Sequence, residues 1–317
     1  MAEGLAPEVA RALVEDGRRI VITGAGGWIG LATLDLLANA LGDKFEKRVR
    51  PFGSNTRALR LADGAQVLQR PLADMAWLPK EPTIVLHTAF LTKDRAEAME
   101  EDAYIAANRA ISEAVLKALN PIGAEAIFVA SSGAAAKADD PSASAGMRLY
   151  GALKREDEER FAAWADETGK RGVIARIHAL TGPYINKPGA YAIASFIEDA
   201  MAGRPVEVRA PKRVVRAYVA IRELMSLVFA ALAPATGTLR FDSGGEAMEL
   251  GEIAGVVAAQ TGTSVKRAEI TTGPSDIYHG DDTAYRALLA DYGIAPVPLA
   301  AQVAEMIAWA QQSSHAA

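Results

Sequence analysis

A tyrosine and a lysine stand four positions apart in the middle of the chain, at Tyr150 and Lys154. On a helix this spacing puts both side chains on one face. A neighbouring ammonium favours phenolate and lowers the pKa of a phenol, so Tyr150 could transfer a proton near working pH while Lys154 also holds a cofactor ribose. By itself, the pair could equally be an ordinary couple on a helix surface.

Two serines, Ser131 and Ser132, follow the apolar run 127–130. Such a run predicts a buried strand, and open α/β sheets bind ligands at the carboxyl ends of their strands. A serine hydroxyl there could donate a hydrogen bond to a carbonyl oxygen as a hydride reaches the carbon. Either serine could instead cap the junction between strand and loop.

A glycine-rich segment, 23–30, lies between a strand-like stub and a stretch with helical spacing. Its glycines allow a sharp turn, close approach of a pyrophosphate and tight packing of helix on strand. The helix N-terminus would present free N–H groups and the positive end of its dipole to the phosphates. This order predicts a dinucleotide site, although the glycine spacing also occurs in flavin-binding loops. The predicted ligands are Gly24, Gly27, Trp28, Ile29 and Gly30.

The residues after the second predicted strand indicate which dinucleotide binds. An acid there would accept hydrogen bonds from the ribose diol and repel a 2′-phosphate, but residues 53–57 are Gly-Ser-Asn-Thr-Arg. The hydroxyl of Ser54 and the cation of Arg57 suit that phosphate. We therefore expect NADP, with NAD as the alternative. An arginine in a polar turn can also be simply solvated.

Composition limits the classes of partner. The 317 residues are 50% hydrophobic and 23% charged with a net charge of −5, so nucleic acid is not expected as a principal partner. The absence of cysteine excludes disulfides and zinc–thiolate sites, and the four scattered histidines predict no metal site. No apolar run reaches the roughly 18 residues of a membrane span, and the first seventeen lack a signal-peptide apolar region. We expect a cytoplasmic protein without a membrane partner.

Short β-branched runs alternate with amphipathic helical stretches in the first half of the chain, which predicts an α/β fold with a parallel sheet covered on both faces. The predicted strands are 19–23, 48–52, 65–68, 83–88, 126–130 and 172–177, with a helix beginning near residue 100 and a loop at 134–145. After residue 182 the alternation becomes irregular, with a helix at 193–202 and a basic strand-like piece at 206–218.

These segments together resemble the extended short-chain dehydrogenase/reductase family, which contains nucleotide-sugar epimerases, dehydratases and ketoreductases. The resemblance covers nearly the whole chain, at 23–30, 86–89, Asn108, 131–132, 150–154, 176–183, 216–219 and 282–288. The stretches 150–155, 182–184 and 190–197 are similar to the branch of CDP-abequose synthase-like 4-ketoreductases.

The resemblance implies a Rossmann-type doubly wound parallel sheet with a smaller C-terminal substrate-binding lobe. The dinucleotide-binding domain would span residues 1–182, and the chain would return to it at about 214–242. Residues 183–213 and 243–317 would form the smaller lobe. A homodimer built from the helix near residue 100 and the helix bearing Tyr150 is a further expectation from similar family members.

Roles for individual residues follow from the same resemblance. Tyr150 would be the proton donor or acceptor, Lys154 its pKa modifier and ribose ligand, and Ser132 the hydroxyl that binds the substrate carbonyl. Arg216 would contact a substrate diphosphate, which its planar cation suits. Further cofactor contacts are implied at Leu72, Thr88, Ala89, Asn108, Ser131, which would lie near the nicotinamide, and Ile177.

Several departures from the family pattern bear on the substrate pocket. Family dehydratases carry an Asp-Glu pair where this chain has Gly133-Ala134, so elimination of water is not expected. The usual Val-Tyr-Gly is replaced by three alanines at 134–136, and the interval before Tyr150 is short. The family's asparagine is Ala179, and the acid after the third strand is Pro71.

The expected function is NADP-dependent reduction of a 4-keto-6-deoxyhexose carried by a nucleoside diphosphate. One alternative is a nucleotide-sugar C4 epimerase with bound NAD. Another is a reductase or dehydrogenase of a smaller carbonyl or alcohol, which the short interval before Tyr150 favours. A cofactor-sensing protein without turnover would be expected to have lost part of its tyrosine, lysine and serine set, which is intact here.

Overall fold

The computed structural model describes residues 4–271 and 273–315, so the outermost ends of both expected lobes, 1–3 and 316–317, lie outside the described residues. The strands are β1 (Arg19–Thr23), β2 (Val49–Gly53), β3 (Arg57–Arg60), β4 (Gln66–Pro71), β5 (Thr83–His87), β6 (Ala124–Ser132), β7 (Arg171–Ile177), β8 (Ala179–Thr181), β9 (Val206–Val208), β10 (Val214–Ala220), β11 (Gly237–Asp242), β12 (Ala247–Glu249), β13 (Val265–Arg267) and β14 (Asp276–Tyr278). The α-helices are α1 (Pro7–Asp16), α2 (Trp28–Leu41), α3 (Phe45–Arg48), α4 (Lys93–Ala98), α5 (Glu101–Ile122), α6 (Ala145–Thr168), α7 (Ala192–Met201), α8 (Ile221–Ala231), α9 (Leu250–Thr261), α10 (Thr283–Asp291) and α11 (Leu299–His315).

Eight strands form the large sheet, in the order β11-β7-β6-β5-β1-β2-β4-β3. All neighbours are parallel except β3, which runs antiparallel to β4 at the edge. The chain moves outward from β1 in one direction through β2 and in the other through β5, so a crevice forms at the carboxyl ends of these strands. The predicted α/β, Rossmann-type sheet is confirmed.

Side chains of β1 show how the sheet is buried on both faces. Ile20 and Ile22 pack into one apolar cluster with α2 and α8, whereas Val21 points into a second cluster with α5 and α6. Successive residues of a strand face opposite sides, so a strand covered by helices on both faces reads as a continuous apolar run. Within the described residues, no helix combines the length and apolar character that crossing a bilayer requires.

The six strands predicted in the first half are all present, with small differences at their ends. β6 extends to Ser132, so both serines belong to the strand itself. Sequence reasoning missed β3, which begins at Arg57, the last residue of the predicted polar turn, and forms a hairpin with β4. Only Leu59 of this strand is buried, because its other residues face solvent at the sheet edge. The predicted loop at 134–145 begins with a short 3₁₀ helix, Gly133–Lys137.

A smaller lobe surrounds a four-stranded sheet in which β10 pairs with β8, β12 and β14. Helices α7, α9 and α11 pack together beside it around a third apolar cluster. The return to the large sheet, expected at about residue 214, begins instead at Ile221, since β10 (214–220) belongs to the small sheet. From there α8 packs on α2 and β11 joins β7 at the sheet edge.

Candidate active site

The glycine-rich loop after β1 is held against the end of β5. Gly24 has a φ of 72°, and a Cβ there would lie 2.6 Å from the backbone nitrogen of Ala89. The Thr88 hydroxyl donates to the carbonyl oxygen of Thr23 at 2.7 Å. A Cβ on Gly30 would overlap the carbonyl of Gly24, so both positions require glycine.

Helix α2 starts directly after this loop, with Gly27 as its N-cap and without an acidic residue in its first turn. The backbone N–H groups of Trp28, Ile29 and Gly30 have no acceptor within the helix, because they belong to its first turn. They can therefore bind an anion such as a pyrophosphate. The Trp28 ring lies edge-on to Tyr191 of the small lobe with 5.1 Å between centroids, and its buried Nε1 has no hydrogen-bond partner among the described residues.

Strand β6 and helix α6 bring together the serine, tyrosine and lysine predicted to be catalytic. The Ser132 Oγ accepts a hydrogen bond from the Ala134 backbone at 3.2 Å and also contacts the Tyr150 hydroxyl. Lys154 lies one turn further along α6 and donates to the Ala130 carbonyl at 2.8 Å. A Cβ on Gly151 would overlap the Ala134 carbonyl, so this glycine lets α6 approach the turn after the strand.

The charges around Tyr150 and Lys154 differ from those expected from the sequence. Burial raises the pKa of Tyr150, and its contact with Ser132 opposes the rise without reversing it. The ring of Phe90 packs edge-on against Tyr150 with 5.7 Å between centroids, and the Lys154 Nζ lies 3.7 Å from the centroid of the same ring. In this arrangement the ammonium of Lys154 is directed to Phe90 and Ala130, and its role as pKa modifier of Tyr150 stays a prediction.

The sequence of this chain matches that of a known enzyme family over most of its length. Residues 20–240 match the NAD dependent epimerase/dehydratase family. The chain belongs to the NAD dependent epimerase/dehydratase family. It is thus an NAD(P)-dependent enzyme of the extended short-chain dehydrogenase/reductase type, and the recognition made from the motifs is confirmed at this level. The narrower likeness to the CDP-abequose synthase branch stays a prediction.

Solved structures of nucleotide-sugar enzymes share the fold of this family member at low sequence identity. A UDP-glucose-4-epimerase from Stenotrophomonas maltophila, with bound NAD, is 18% identical with a TM-score of 0.73, covering 95% of this chain and 100% of that one. A UDP-N-acetylglucosamine 4-epimerase from Methanobrevibacter ruminantium M1 is 18% identical with a TM-score of 0.71, covering 93% and 99%. A dTDP-glucose 4,6-dehydratase from Streptomyces venezuelae is 21% identical with a TM-score of 0.68, covering 94% and 98%. A search of curated protein sequences gives no match.

Two predicted cofactor ligands, Asn108 and Ser131, form hydrogen bonds to other residues of the chain. The amide oxygen of Asn108 accepts from the Leu91 backbone at 2.8 Å, so Asn108 positions the loop after β5. The Ser131 hydroxyl donates to Glu158, which also forms a two-pronged ion pair with Arg176 at 2.7 and 2.8 Å. Direct cofactor contacts of Asn108 and Ser131 stay predictions.

The remaining predicted cofactor ligands line the same edge of the sheet. Ile177 is half-buried at the end of β7 beside Ser132, and Leu72 is half-buried directly after β4. Ser54 and Arg57 are exposed, and the Arg57 guanidinium donates to the Gly26 carbonyl at 3.1 Å. Arg57 therefore lies over the glycine-rich loop.

A second residue over the glycine loop, Gln69 of β4, was missed by the sequence reasoning. Its side chain fills the space where a Cβ of Gly53 would stand, and its Nε2 donates to the Asn55 carbonyl at 2.9 Å. Its Oε1 is buried and has no hydrogen-bond partner among the described residues. This free acceptor lies at the end of β2, where the acid that would accept from a ribose diol is missing.

Arg216 lies in β10, but its guanidinium is already paired. It donates to a carboxylate oxygen of Asp276 at 3.2 Å and to the Asp276 carbonyl at 3.1 Å. Burial alone would raise the pKa of Asp276, yet the hydrogen bond and charge of Arg216, together with Lys212, lower it overall. A diphosphate at Arg216 would therefore compete with an ionised carboxylate.

Two further residues beside Ser132, Tyr278 and Asp242, were missed by sequence reasoning, and they adjoin His178 of the matched segment 176–183. The Tyr278 hydroxyl lies 3.3 Å from the Ser132 Oγ, and its ring packs on His178. The His178 Nε2 is 3.1 Å from a carboxylate oxygen of Asp242. Nothing in the local sequence links these positions, since they come from three separate strand ends. Across residues 4–271 and 273–312, no group of three or more potential metal ligands is assembled.

The protonation of Lys154 yields a pH prediction. Burial lowers the pKa of Lys154 to about 8, although the carboxylates of Asp157 and Glu158 act in the opposite direction. The buried His87 stays neutral, because burial and Lys154 lower its pKa to about 3. If catalysis requires the ammonium, kcat/KM must fall as the pH rises through about 8.

Two variants check this assignment in pH–rate profiles of kcat/KM. Lys154→Arg keeps a positive charge at all accessible pH values, so the alkaline fall should disappear even if the rate is lower. Asp157→Asn removes a charge that raises the pKa of Lys154, so the fall should begin at a lower pH. An alkaline fall that is identical in Lys154→Arg and the parent enzyme would contradict the prediction.

Proposed function

We propose that the protein is an NADP-dependent oxidoreductase that reduces the keto group of a 4-keto-6-deoxyhexose joined to a nucleoside diphosphate. The contact of Ser132 with Tyr150, next to Lys154 and at the strand edge beside the glycine-rich loop, carries this proposal. Residues 183–220, which include β10 of the small sheet, and 243–317 would hold the substrate. A homodimer and a cytoplasmic location stay predictions from family resemblance and composition.

The residues present fit a dinucleotide. Gly24 and Gly30 leave room where a Cβ would meet backbone, and the buried Trp28 Nε1 lacks a partner among the described residues. A bound nicotinamide would supply the hydride. Ser132 would hold the carbonyl oxygen by donating its hydroxyl proton, which stabilises the negative charge that develops there.

Tyr150 would then give its phenolic proton to that oxygen. Because burial raises the pKa of Tyr150, the phenol is protonated at neutral pH and ready to act as an acid in the direction of reduction. Lys154 would stabilise the resulting phenolate and bind the cofactor ribose. For both roles its ammonium must turn from the Ala130 carbonyl, where it now donates.

Arg57 gives the test of cofactor choice. Arg57→Ala should weaken NADP binding about tenfold or more while leaving NAD affinity nearly unchanged, because a guanidinium–phosphate pair exists only with the 2′-phosphate. Titration of both dinucleotides measures this directly. Arg60→Ala, an exposed arginine on the same strand, is the matched control and should change neither affinity. Equal weakening of NAD and NADP by Arg57→Ala would count against NADP selectivity.

The nucleotide-sugar substrate is supported by the solved structures that share this fold, which include two 4-epimerases of UDP-sugars and a dTDP-glucose 4,6-dehydratase. The two 4-epimerases also support the C4 epimerase alternative. Redox balance separates the two reactions: a reductase consumes one NADPH for each product, whereas an epimerase keeps its nicotinamide bound and shows no net oxidation. Absorbance of NADPH during turnover gives the answer.

A second candidate function, reduction or oxidation of a smaller carbonyl or alcohol, is favoured by the pairing of Arg216 with Asp276. Arg216→Ala should weaken nucleotide-sugar binding by roughly tenfold to a hundredfold if the arginine exchanges Asp276 for a diphosphate. Asp276→Asn should strengthen the same binding, because it removes the competing charge. Unchanged affinity in both variants would favour the small substrate.

A further inference from the structure

Tyr278 of the small lobe reaches the serine that would bind the substrate oxygen. Its hydroxyl lies 3.3 Å from the Ser132 Oγ. One side of its ring packs on His178 with 5.1 Å between centroids, and the Arg216 guanidinium carbon lies 5.8 Å from the ring centre. The His178 imidazole is fixed in turn by Asp242, at 3.1 Å. Tyr278 is thus held beside the reacting groups although it comes from the other lobe.

The hydrogen-bond inventory of Ser132 limits how this contact can be made. A serine hydroxyl has one proton to donate and two lone pairs that accept. The Ala134 backbone N–H already occupies one lone pair at 3.2 Å. If Ser132 donated to Tyr278, no proton would be left for a carbonyl oxygen. If Tyr278 donates, both lone pairs are filled and the serine proton stays on the side of the Tyr150 hydroxyl, which Ser132 also contacts and where the substrate carbonyl would bind.

The arrangement in which Tyr278 donates to Ser132 is favoured by the chemistry of the two hydroxyls. A phenol is more acidic than an aliphatic alcohol and is therefore the better donor of the two hydroxyls. Burial raises the pKa of Tyr278, so the phenol keeps its proton at neutral pH. A hydroxyl that accepts hydrogen bonds also becomes a stronger donor, since neighbouring hydrogen bonds polarise one another.

We propose that Tyr278 is a positioning residue that donates to Ser132 and thereby directs the serine proton toward the substrate carbonyl oxygen. This inference rests on the proposed function, because it requires a carbonyl at Ser132. It also gives the small lobe a part in the chemistry. β14 carries Tyr278, so the correct orientation of Ser132 depends on the packing of β14 beside β10.

A double-mutant cycle in the full-length protein tests the proposal with NADPH and the keto substrate that the parent enzyme reduces. Tyr278→Phe should lower kcat about tenfold and change KM less than about twofold, because the lost interaction acts on the transition state. In a Ser132→Ala background, measured by single turnover, the same change should have an effect below about twofold. In a Ser132→Thr background, which keeps the hydroxyl, the loss of about tenfold should return.

Two controls complete the experiment. Tyr292→Phe removes the hydroxyl of an exposed tyrosine and should leave kcat and KM unchanged. Thermal unfolding of each variant reports whether the fold is kept. A Tyr278→Phe loss of equal size in the parent and Ser132→Ala backgrounds, or no loss in the parent, would overturn this inference alone. A parent enzyme that turns over no carbonyl or alcohol would overturn the proposed function and the inference with it.

Discussion

Tyr150→Phe is expected to lower kcat by about 10²–10⁴-fold, the range that general acid–base catalysis contributes. The change removes only the phenolic oxygen, so the ring can keep its edge-on packing against Phe90. Without that oxygen the substrate carbonyl loses the acid that would protonate it, and hydride transfer would leave an unneutralised alkoxide. Steady-state kinetics with the preferred dinucleotide measure the effect.

The control for this variant is cofactor binding. Dinucleotide affinity should change less than about threefold, since the glycine-rich loop and the start of α2 are untouched. A variant that binds the dinucleotide normally and also keeps full kcat would remove Tyr150 from the mechanism. Loss of both properties together would point to a change in fold and not to lost acid catalysis.

Gly24→Ala is expected to weaken dinucleotide binding on the order of a hundredfold. A Cβ at this position would lie 2.6 Å from the Ala89 nitrogen, and backbone atoms cannot move aside as a flexible side chain can. The loop must then separate from the end of β5, which shifts the N–H groups of α2 that would bind the pyrophosphate. Calorimetric titration gives the affinity, and urea unfolding gives the free energy of unfolding.

Gly17→Ala is a matched control for this change. Gly17 has a φ of 73°, nearly the 72° of Gly24, but a Cβ there would meet nothing closer than 4.0 Å. Both variants therefore carry the same left-handed backbone cost of roughly 1–2 kcal/mol, and only Gly24→Ala adds the steric overlap. Equal dinucleotide affinities in the two variants would show that the close approach to Ala89 has no part in cofactor binding.

Local patterns allowed the sheet and the central residues of the site to be predicted. The β1 stub is apolar because helices cover both faces of the sheet, and Gly24 and Gly30 are glycine because backbone lies where their Cβ would stand. Tyr150 and Lys154 are four positions apart on one helix, so their proximity is a local property of the chain.

Contacts between distant segments could not be predicted in the same way. Tyr278 lies in a three-residue strand whose neighbours give no periodic signal, and its contact with Ser132 exists only through the pairing of β14 with β10. The direction of the Lys154 ammonium likewise depends on Phe90, which arrives from the loop after β5. The pairing of Arg216 with Asp276 was also hidden, because spacing alone does not show which carboxylate faces a given cation.

Two of the junctions between the lobes contain almost no free chain. Only His178 separates β7 of the large sheet from β8 of the small one, and α8 begins at the residue after β10 ends. Any rotation of the lobes against each other must twist these junctions and strain the pairing of β8 with β10. We therefore expect little domain closure on ligand binding, and amide hydrogen exchange at the junctions as slow as in the adjoining strands.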